Sequence, residues 1–98
     1  MTPEGKVKEG VKKVLKLYEA YWHCPVQNGM GAPSLDFICC HKGRYFGIET
    51  KAGSKGMTPR QSLTSQAIEA AGGKAFLINE TSGMDALKEF LNGDTELE

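Results

Sequence analysis

Asp36, Glu49 and Lys51 are the residues whose types and spacing could do chemistry. Residues 35–41 and 44–51 are rich in aromatic and β-branched side chains, as strands are, and Lys42-Gly43 between them suits a two-residue turn. That turn sets His41 opposite Arg44 and, counting outward, Asp36 opposite Glu49. A four-residue turn keeps this register; a three-residue loop breaks it. Facing residues have Cβ atoms about 4.5–5.5 Å apart, and like charges there destabilise a sheet. Alternation puts Lys51 on the face of Glu49, roughly 6.6 Å further along. Thr50 is expected to point the other way, with its backbone carbonyl still open to a metal.

Two carboxylates at that separation can share a hard divalent cation. Mg²⁺ takes oxygen ligands at about 2.0–2.1 Å and keeps several waters, so one or two carboxylates suffice. Such an ion polarises a phosphoryl oxygen and lowers the pKa of a bound water. Lys51 can orient or deprotonate that water, or neutralise charge developing on a phosphate. The chemistry is metal-assisted phosphodiester hydrolysis, with Mg²⁺ or Mn²⁺ as cofactor. The bland alternative is an ordinary exposed sheet face carrying a Glu–Lys pair, since surface ion pairs are common.

Positioning these residues requires a small set of elements. Thr2 caps a first helix with Pro3 at its first position. Val7, Val11, Val14, Leu15 and Tyr18 carry helical spacing to about Tyr21. Residues 24–27 are expected to form a short strand and residues 28–33 a loop. After the hairpin, residues 52–57 form a Gly/Ser/Lys loop. Thr58 caps a second helix running to about Ala71, and Gly72-Gly73 ends it. Residues 74–79 form a buried strand, and Ser82 opens a last helix with Leu87, Phe90 and Leu91 on its apolar side. The order α-β-β-β-α-β-α describes an α/β sheet with helices packed on it. Residues 1–93 form one domain, and the acidic tail 94–98 is expected to be frayed and solvated.

Ninety-eight residues make one domain with a marginal core, which oligomerisation would help. No apolar run spans a membrane. The start, Met1-Thr2-Pro3-Glu4-Gly5-Lys6, lacks an apolar signal region, so the expected location is the cytoplasm. Three cysteines without C-x-x-C spacing read as reduced thiols in or near the core. Net charge is zero, but residues 1–75 carry 11 Lys/Arg against 6 Asp/Glu, and residues 76–98 carry 1 against 6. The body is therefore basic, as a phosphate-binding surface needs. Lys6, Lys8, Lys12, Lys13 and Lys16 fit that surface, or simply the wet face of a helix.

Taken in order, the motifs resemble a family. Gly31-Ala32-Pro33-Ser34-Leu35-Asp36, Ile48-Glu49-Thr50-Lys51 and Thr58-Pro59-Arg60-Gln61 are similar to the PD-(D/E)XK nucleases. They look most like the VRR-NUC branch (virus-type replication-repair nuclease domains), which includes short stand-alone phage and bacterial proteins. That pattern also has a glutamate early in helix one and a later A-G-G, met here by Glu4 and Ala71-Gly72-Gly73. One departure stands: Ser34 and Leu35 separate Pro33 from Asp36, where the family has Asp directly after Pro. The register still selects Asp36, and a neutral Ser34 hydroxyl is a poor Mg²⁺ ligand beside a carboxylate.

The resemblance implies a restriction-endonuclease-like αβββαβ core with an extra C-terminal helix. It implies Asp36, Glu49 and the Thr50 carbonyl as metal ligands, Lys51 as catalytic, and supporting roles for Gln61 and Glu4. It also implies a DNA endonuclease of repair or recombination, a homodimer acting on branched DNA such as four-way junctions. Gln61 has a second reading as the N3 partner of a capping box, and Glu4 as a first-turn acid favoured by the helix dipole. Glu9 is the competing acid in helix one. A non-catalytic DNA-binding or assembly module on the same fold, or a nuclease acting on RNA, is the alternative function.

Other candidates are weaker. His23-Cys24 and Cys39-Cys40-His41 are poorly spaced for zinc, because adjacent strand residues face opposite sides. No local signature places a histidine beside a nucleophilic cysteine. Gly29-Met30-Gly31 is too short for a dinucleotide loop and no G-K-[ST] exists, so no nucleotide cofactor is expected. Lys55 and Arg60 are candidate DNA-phosphate contacts or solvated loop charges. Trp22, Tyr21 and Tyr45 suit a core or interface better than base stacking.

Overall fold

The computed structural model describes residues 1–26 and 34–93. Three helices and four strands follow in the order α1 (Pro3–Leu17), β1 (Tyr21–His23), β2 (Phe37–His41), β3 (Arg44–Thr50), α2 (Pro59–Ala70), β4 (Lys74–Ile78) and α3 (Met84–Asn92). The expected loop at Gly29, Gly31 and Pro33 and the acidic tail lie outside the described residues.

The hairpin forms as its turn residues require. Lys42 and Gly43 have φ of 53° and 82°, the left-handed pair of a type I′ turn. β2 and β3 pair antiparallel with His41 opposite Arg44 and Phe37 opposite Ile48. β4 then joins β3 in parallel through the α2 crossover, giving the sheet order β1-β2-β3-β4.

Alternation divides the sheet into two faces. Phe37, Phe46, Ile48, Phe76 and Ile78 pack with Val7, Val11 and Leu15 of α1 and Leu87 and Leu91 of α3. Phe90 adds an aromatic cluster, 5.1 Å from Phe46 and 5.4 Å from Phe76, in edge geometry worth about 0.5–1.5 kcal/mol per pair beyond burial. α2 covers the other face. Gly47 of β3 lies under it: a Cβ there would stand 3.2 Å from Ile68 and 3.1 Å from Leu35. Glu49 shares the face of Gly47 by alternation, so the candidate acid points to the α2 side.

Three boundaries differ from expectation. α1 stops at Leu17, not near Tyr21. Its C-terminus is a Schellman turn, with Ala20 N–H bonding Leu15 O at 2.9 Å and Glu19 N–H bonding Lys16 O at 3.0 Å. Glu19 takes the left-handed position, at φ 59°, where glycine is the usual signal. The strand expected at 24–27 is displaced to Tyr21–His23, where Tyr21 and Trp22 pair with Cys40 and Cys39. The last helix starts after Gly83, because Ser82 instead bonds the Asn79 side chain. Gly83 has φ 94°, and a Cβ there would collide with the Leu77 carbonyl. Of the cysteines, only Cys39 is buried; Cys24 and Cys40 are exposed. Tyr21 and Tyr45 are exposed too, whereas Trp22 packs on Phe37 at 5.9 Å.

Candidate active site

The site lies where the β2–β3 ladder runs out. Asp36 sits at a bend one residue before β2, and Glu49 is the penultimate residue of β3. The paired register agrees with the turn as far as Phe37–Ile48 and ends one residue short of the acids, which leaves Asp36 beside Glu49 but outside the ladder. The Asp36 backbone N–H donates to Glu49 Oε1 at 3.3 Å. The Asp36 carboxylate turns the other way along the strand. Its Oδ2 accepts from the Thr50 backbone N–H at 3.0 Å and from the Thr50 hydroxyl at 2.8 Å. Thr50 was expected to offer its carbonyl; its hydroxyl and amide in addition fix Asp36. The bend at Asp36 is the physical reason, since a residue outside the ladder is not bound to the strict alternation of faces.

Both donors address Oδ2, and among the described residues Oδ1 accepts no hydrogen bond. Asp36 lines a cleft of about 410 Å³ together with Lys8, Lys12, Cys24, Pro25 and Gln61.

Glu49 is 3% exposed. Its Oε2 accepts from Gln61 Nε2 at 2.9 Å and lies 3.6 Å from Lys51 Nζ. Burial pushes the Glu49 carboxyl up to about 7, the negative Asp36 adds to the rise, and Lys51 opposes it. A buried acid beside another acid holds its proton near neutrality. A divalent cation at the pair would displace that proton and satisfy both charges. The donor set, two carboxylates with no described imidazole and with Cys24 as the one thiol among the lining and paired residues, its ionisation pushed up by burial, fits a hard cation such as Mg²⁺ or Mn²⁺. Among the described residues no group of three or more His, Cys, Asp or Glu is placed to hold a metal ion, so this site offers at most two such side chains to a cation.

Gln61 makes the expected cap and also reaches Glu49. It is the N3 residue of a capping box: its N–H donates to Thr58 Oγ1 at 3.2 Å, and its Oε1 accepts from Thr58 N–H at 3.0 Å. That leaves Nε2 to hold Glu49.

The remaining candidates are not gathered in. Glu4 lies in the first turn of α1 and pairs with Lys8 at 3.9 Å; it is not among the residues lining the cleft. Lys55 and Arg60 are exposed and do not line it either. Sequence reasoning missed the Thr50 hydroxyl, and it left Lys8 and Lys12 undivided from the other lysines of α1. No helix among the described residues is long and apolar enough to cross a membrane.

No family model matches the chain, and no curated protein does. A solved structure titled "VRR_NUC domain" superposes with a TM-score of 0.74, covering 95% of this chain and 99% of that one at 17% sequence identity. The chain therefore has that domain's fold: a mixed four-stranded sheet flanked by three helices.

Proposed function

We propose that the protein is a metal-dependent endonuclease that hydrolyses phosphodiester bonds in DNA. The observation that carries this reading is the convergence of Asp36, Glu49, Lys51 and Gln61 at one end of the β2–β3 pair. The likeness to a VRR_NUC domain supports it at the level of fold.

Each side chain has a task in such a reaction. Asp36 and Glu49, with the Thr50 carbonyl, would hold Mg²⁺ or Mn²⁺. When bound, the cation supplies Lewis-acid polarisation of the scissile phosphate and acidifies a water. Thr50 holds Asp36 aimed by two hydrogen bonds to one oxygen. Gln61 keeps the Glu49 carboxylate from rotating. Lys51, 15% exposed and held at 3.6 Å from Glu49, is placed to orient the attacking water or neutralise charge on the phosphate. Glu4 and Arg60 with Lys55 are assigned supporting and DNA-phosphate roles at the margin of this site.

The substrate reading is branched DNA such as four-way junctions, cut by a homodimer. One small site cuts one strand, and a two-fold pair can cut two symmetric strands. The expected setting is the cytoplasm, in repair or recombination.

The test is a cleavage panel of duplex, flap and four-way-junction DNA, with an RNA hairpin, in Mg²⁺, Mn²⁺ or EDTA. Wild type should nick DNA only with metal, favour the junction, and lose about a hundredfold in rate or more on Lys51→Ala. Equal cleavage by wild type and variant removes Lys51 from catalysis. Metal-independent DNA binding without any cleavage favours a non-catalytic module, and preference for the hairpin favours RNA. A monomer mass by light scattering at micromolar concentration counts against the dimer.

A further inference from the structure

Two lysines of α1 face the same cleft as Asp36. Lys8 and Lys12 line it beside Asp36 and Gln61. They stand one helical turn apart, with Cβ atoms about 5–6 Å from each other. Both occupy the flank of α1 next to its buried stripe of Val7, Val11 and Leu15. The other lysines of the helix do not share this position. Lys6 lines a separate cleft with Asn79 and Glu80, and Lys13 and Lys16 line neither.

Each cleft lysine is steadied by its own helix. Lys8 Nζ lies 3.9 Å from Glu4, and Lys12 Nζ donates to Glu9 at 3.2 Å while standing 5.7 Å from the Trp22 ring centroid. These pairs are partly solvated, so each is worth only about 0–1 kcal/mol. A DNA phosphate, a monoanion with two free oxygens like the carboxylate it replaces, can displace the glutamates at little cost because these pairs are weak, and counterion release from the DNA favours the exchange. Lys51 cannot serve this purpose, because it is turned to Glu49. Among the described residues lining the cleft, its cations are therefore Lys8 and Lys12.

We propose that Lys8 and Lys12 seat the DNA-strand phosphates flanking the scissile one, and so fix the strand over Asp36 and Glu49. The proposal rests on the nuclease reading and deepens it: substrate grip comes from α1, not only from Lys55 and Arg60. The two lysines are positioning residues that never touch the reacting atoms. Glu4 and Glu9 hold the ammonium groups at the cleft until DNA arrives, which gives Glu4 a role without metal ligation.

The test separates binding from cleavage. Anisotropy of a fluorescein-labelled DNA duplex is titrated in EDTA across a salt series, for wild type, K8A/K12A and the control pair K13A/K16A. Alanine favours the helix, so α1 should persist, and thermal melting checks it. K8A/K12A should weaken binding about tenfold or more and lower the slope of log affinity against log salt by roughly 1.8, at about 0.9 per lost phosphate contact. K13A/K16A should change the dissociation constant less than about twofold, on the ground that neither lysine reaches the seated strand. In Mg²⁺, K8A/K12A should raise KM while kcat changes less than about threefold, the signature of lost ground-state binding. Lys8→Arg with Lys12→Arg should restore the slope. If the double variant fails to fold, each single variant should lower the slope by about 0.9. Equal losses in both pairs, an unchanged slope, or no DNA binding by wild type at low salt overturns the proposal. Wild type that binds in this way but cuts nothing refutes the nuclease reading and leaves the phosphate seat standing. Wild type that cuts DNA while K8A/K12A keeps its affinity and slope does the reverse.

Discussion

Gln61 ties the start of α2 to the Glu49 carboxylate: its Oε1 accepts from the Thr58 N–H at 3.0 Å while its Nε2 donates to Glu49 Oε2 at 2.9 Å. One side chain thus sets where α2 begins and which way a buried acid faces. The amide is suited to this, since it carries an acceptor and donors on one planar group. A capping box fixes the acceptor end, so the donor end has little freedom left.

Substitution of Gln61 should therefore move stability and activity by separable amounts. Gln61→Ala keeps the Thr58 cap but loses the return bond from Thr58 N–H, worth about 1 kcal/mol, and also frees the Glu49 carboxylate. Gln61→Glu keeps an acceptor for Thr58 but presents a carboxylate to Glu49. Thermal melting should show a modest loss for Gln61→Ala, and cleavage assays a loss of tenfold or more, in round numbers, for both variants. A Gln61→Glu protein with wild-type cleavage would show that the amide serves the cap alone.

Glu49 makes the metal-free protein pH-sensitive. Its carboxyl is raised from 4.5 to about 7 by burial first and by Asp36 second. A raised folded-state value means the folded protein keeps a proton that the unfolded chain has lost. The associated stability is fully present below about pH 4.5 and is lost as pH rises through about 7. In EDTA, Glu49→Gln should therefore gain on wild type as pH rises from 4.5 to 7 and hold its advantage above. The gain is at most about 3 kcal/mol, since each tenfold change in proton affinity is worth about 1.4 kcal/mol. Added Mg²⁺ should bind wild type more tightly as pH approaches 7, because cation and proton compete for the same oxygens. Paired urea denaturation of the two proteins across pH measures the difference, and a constant difference would contradict this account.

Much of this site was legible because short-range rules set it. The Lys42-Gly43 turn dictated the pairing that leads back to Asp36 and Glu49, and the Thr58-Pro59 start of α2 placed Gln61. The errors fell where a local rule was overridden. Glu19 adopts the left-handed position ending α1, so no glycine marked the stop, and Tyr21 at helical spacing belonged to β1 instead. The Asp36–Thr50 bonds were missed because strict alternation was extended past the ladder to Asp36, which lies at a bend and turns its carboxylate to Thr50. The α1 lysines gave no signal of their own. Only tertiary packing shows which flank of an amphipathic helix meets the cleft lined by Cys24, Pro25, Asp36 and Gln61.

Thr50 offers a cleaner probe than the carboxylates. Thr50→Val removes the 2.8 Å hydroxyl bond to Asp36 but keeps the 3.0 Å backbone bond, the β-branched shape and the carbonyl. Thr50 is wholly buried, so the loss is one net hydrogen bond plus an under-satisfied carboxylate, about 1–2 kcal/mol. Mg²⁺ affinity should fall by several-fold, on the order of 3- to 30-fold at that energy. Calorimetric titration reads the affinity, and melting in EDTA reads the stability. If affinity is unchanged while stability falls, Thr50 steadies the fold but does not aim Asp36.

Asp36 itself decides whether the pair is a metal site. Asp36→Asn removes a charge but keeps an oxygen that can accept from Thr50 at 3.0 and 2.8 Å. In EDTA the variant should be as stable as wild type or more so, since Glu49 loses the neighbour that raises its carboxyl. In Mg²⁺ the order should reverse. A ligand that binds only the folded state adds RT ln(1 + [L]/Kd), about 2.7 kcal/mol at a hundredfold excess over Kd. Wild type should therefore melt several degrees higher with Mg²⁺ than in EDTA, and Asp36→Asn should not. The crossing of the two orders is the diagnostic result. Repulsion without a cation would stabilise the variant in both buffers, whereas a purely structural Asp36 would destabilise it in both. Only a pair kept for a cation makes Asp36 a liability when empty and an asset when filled.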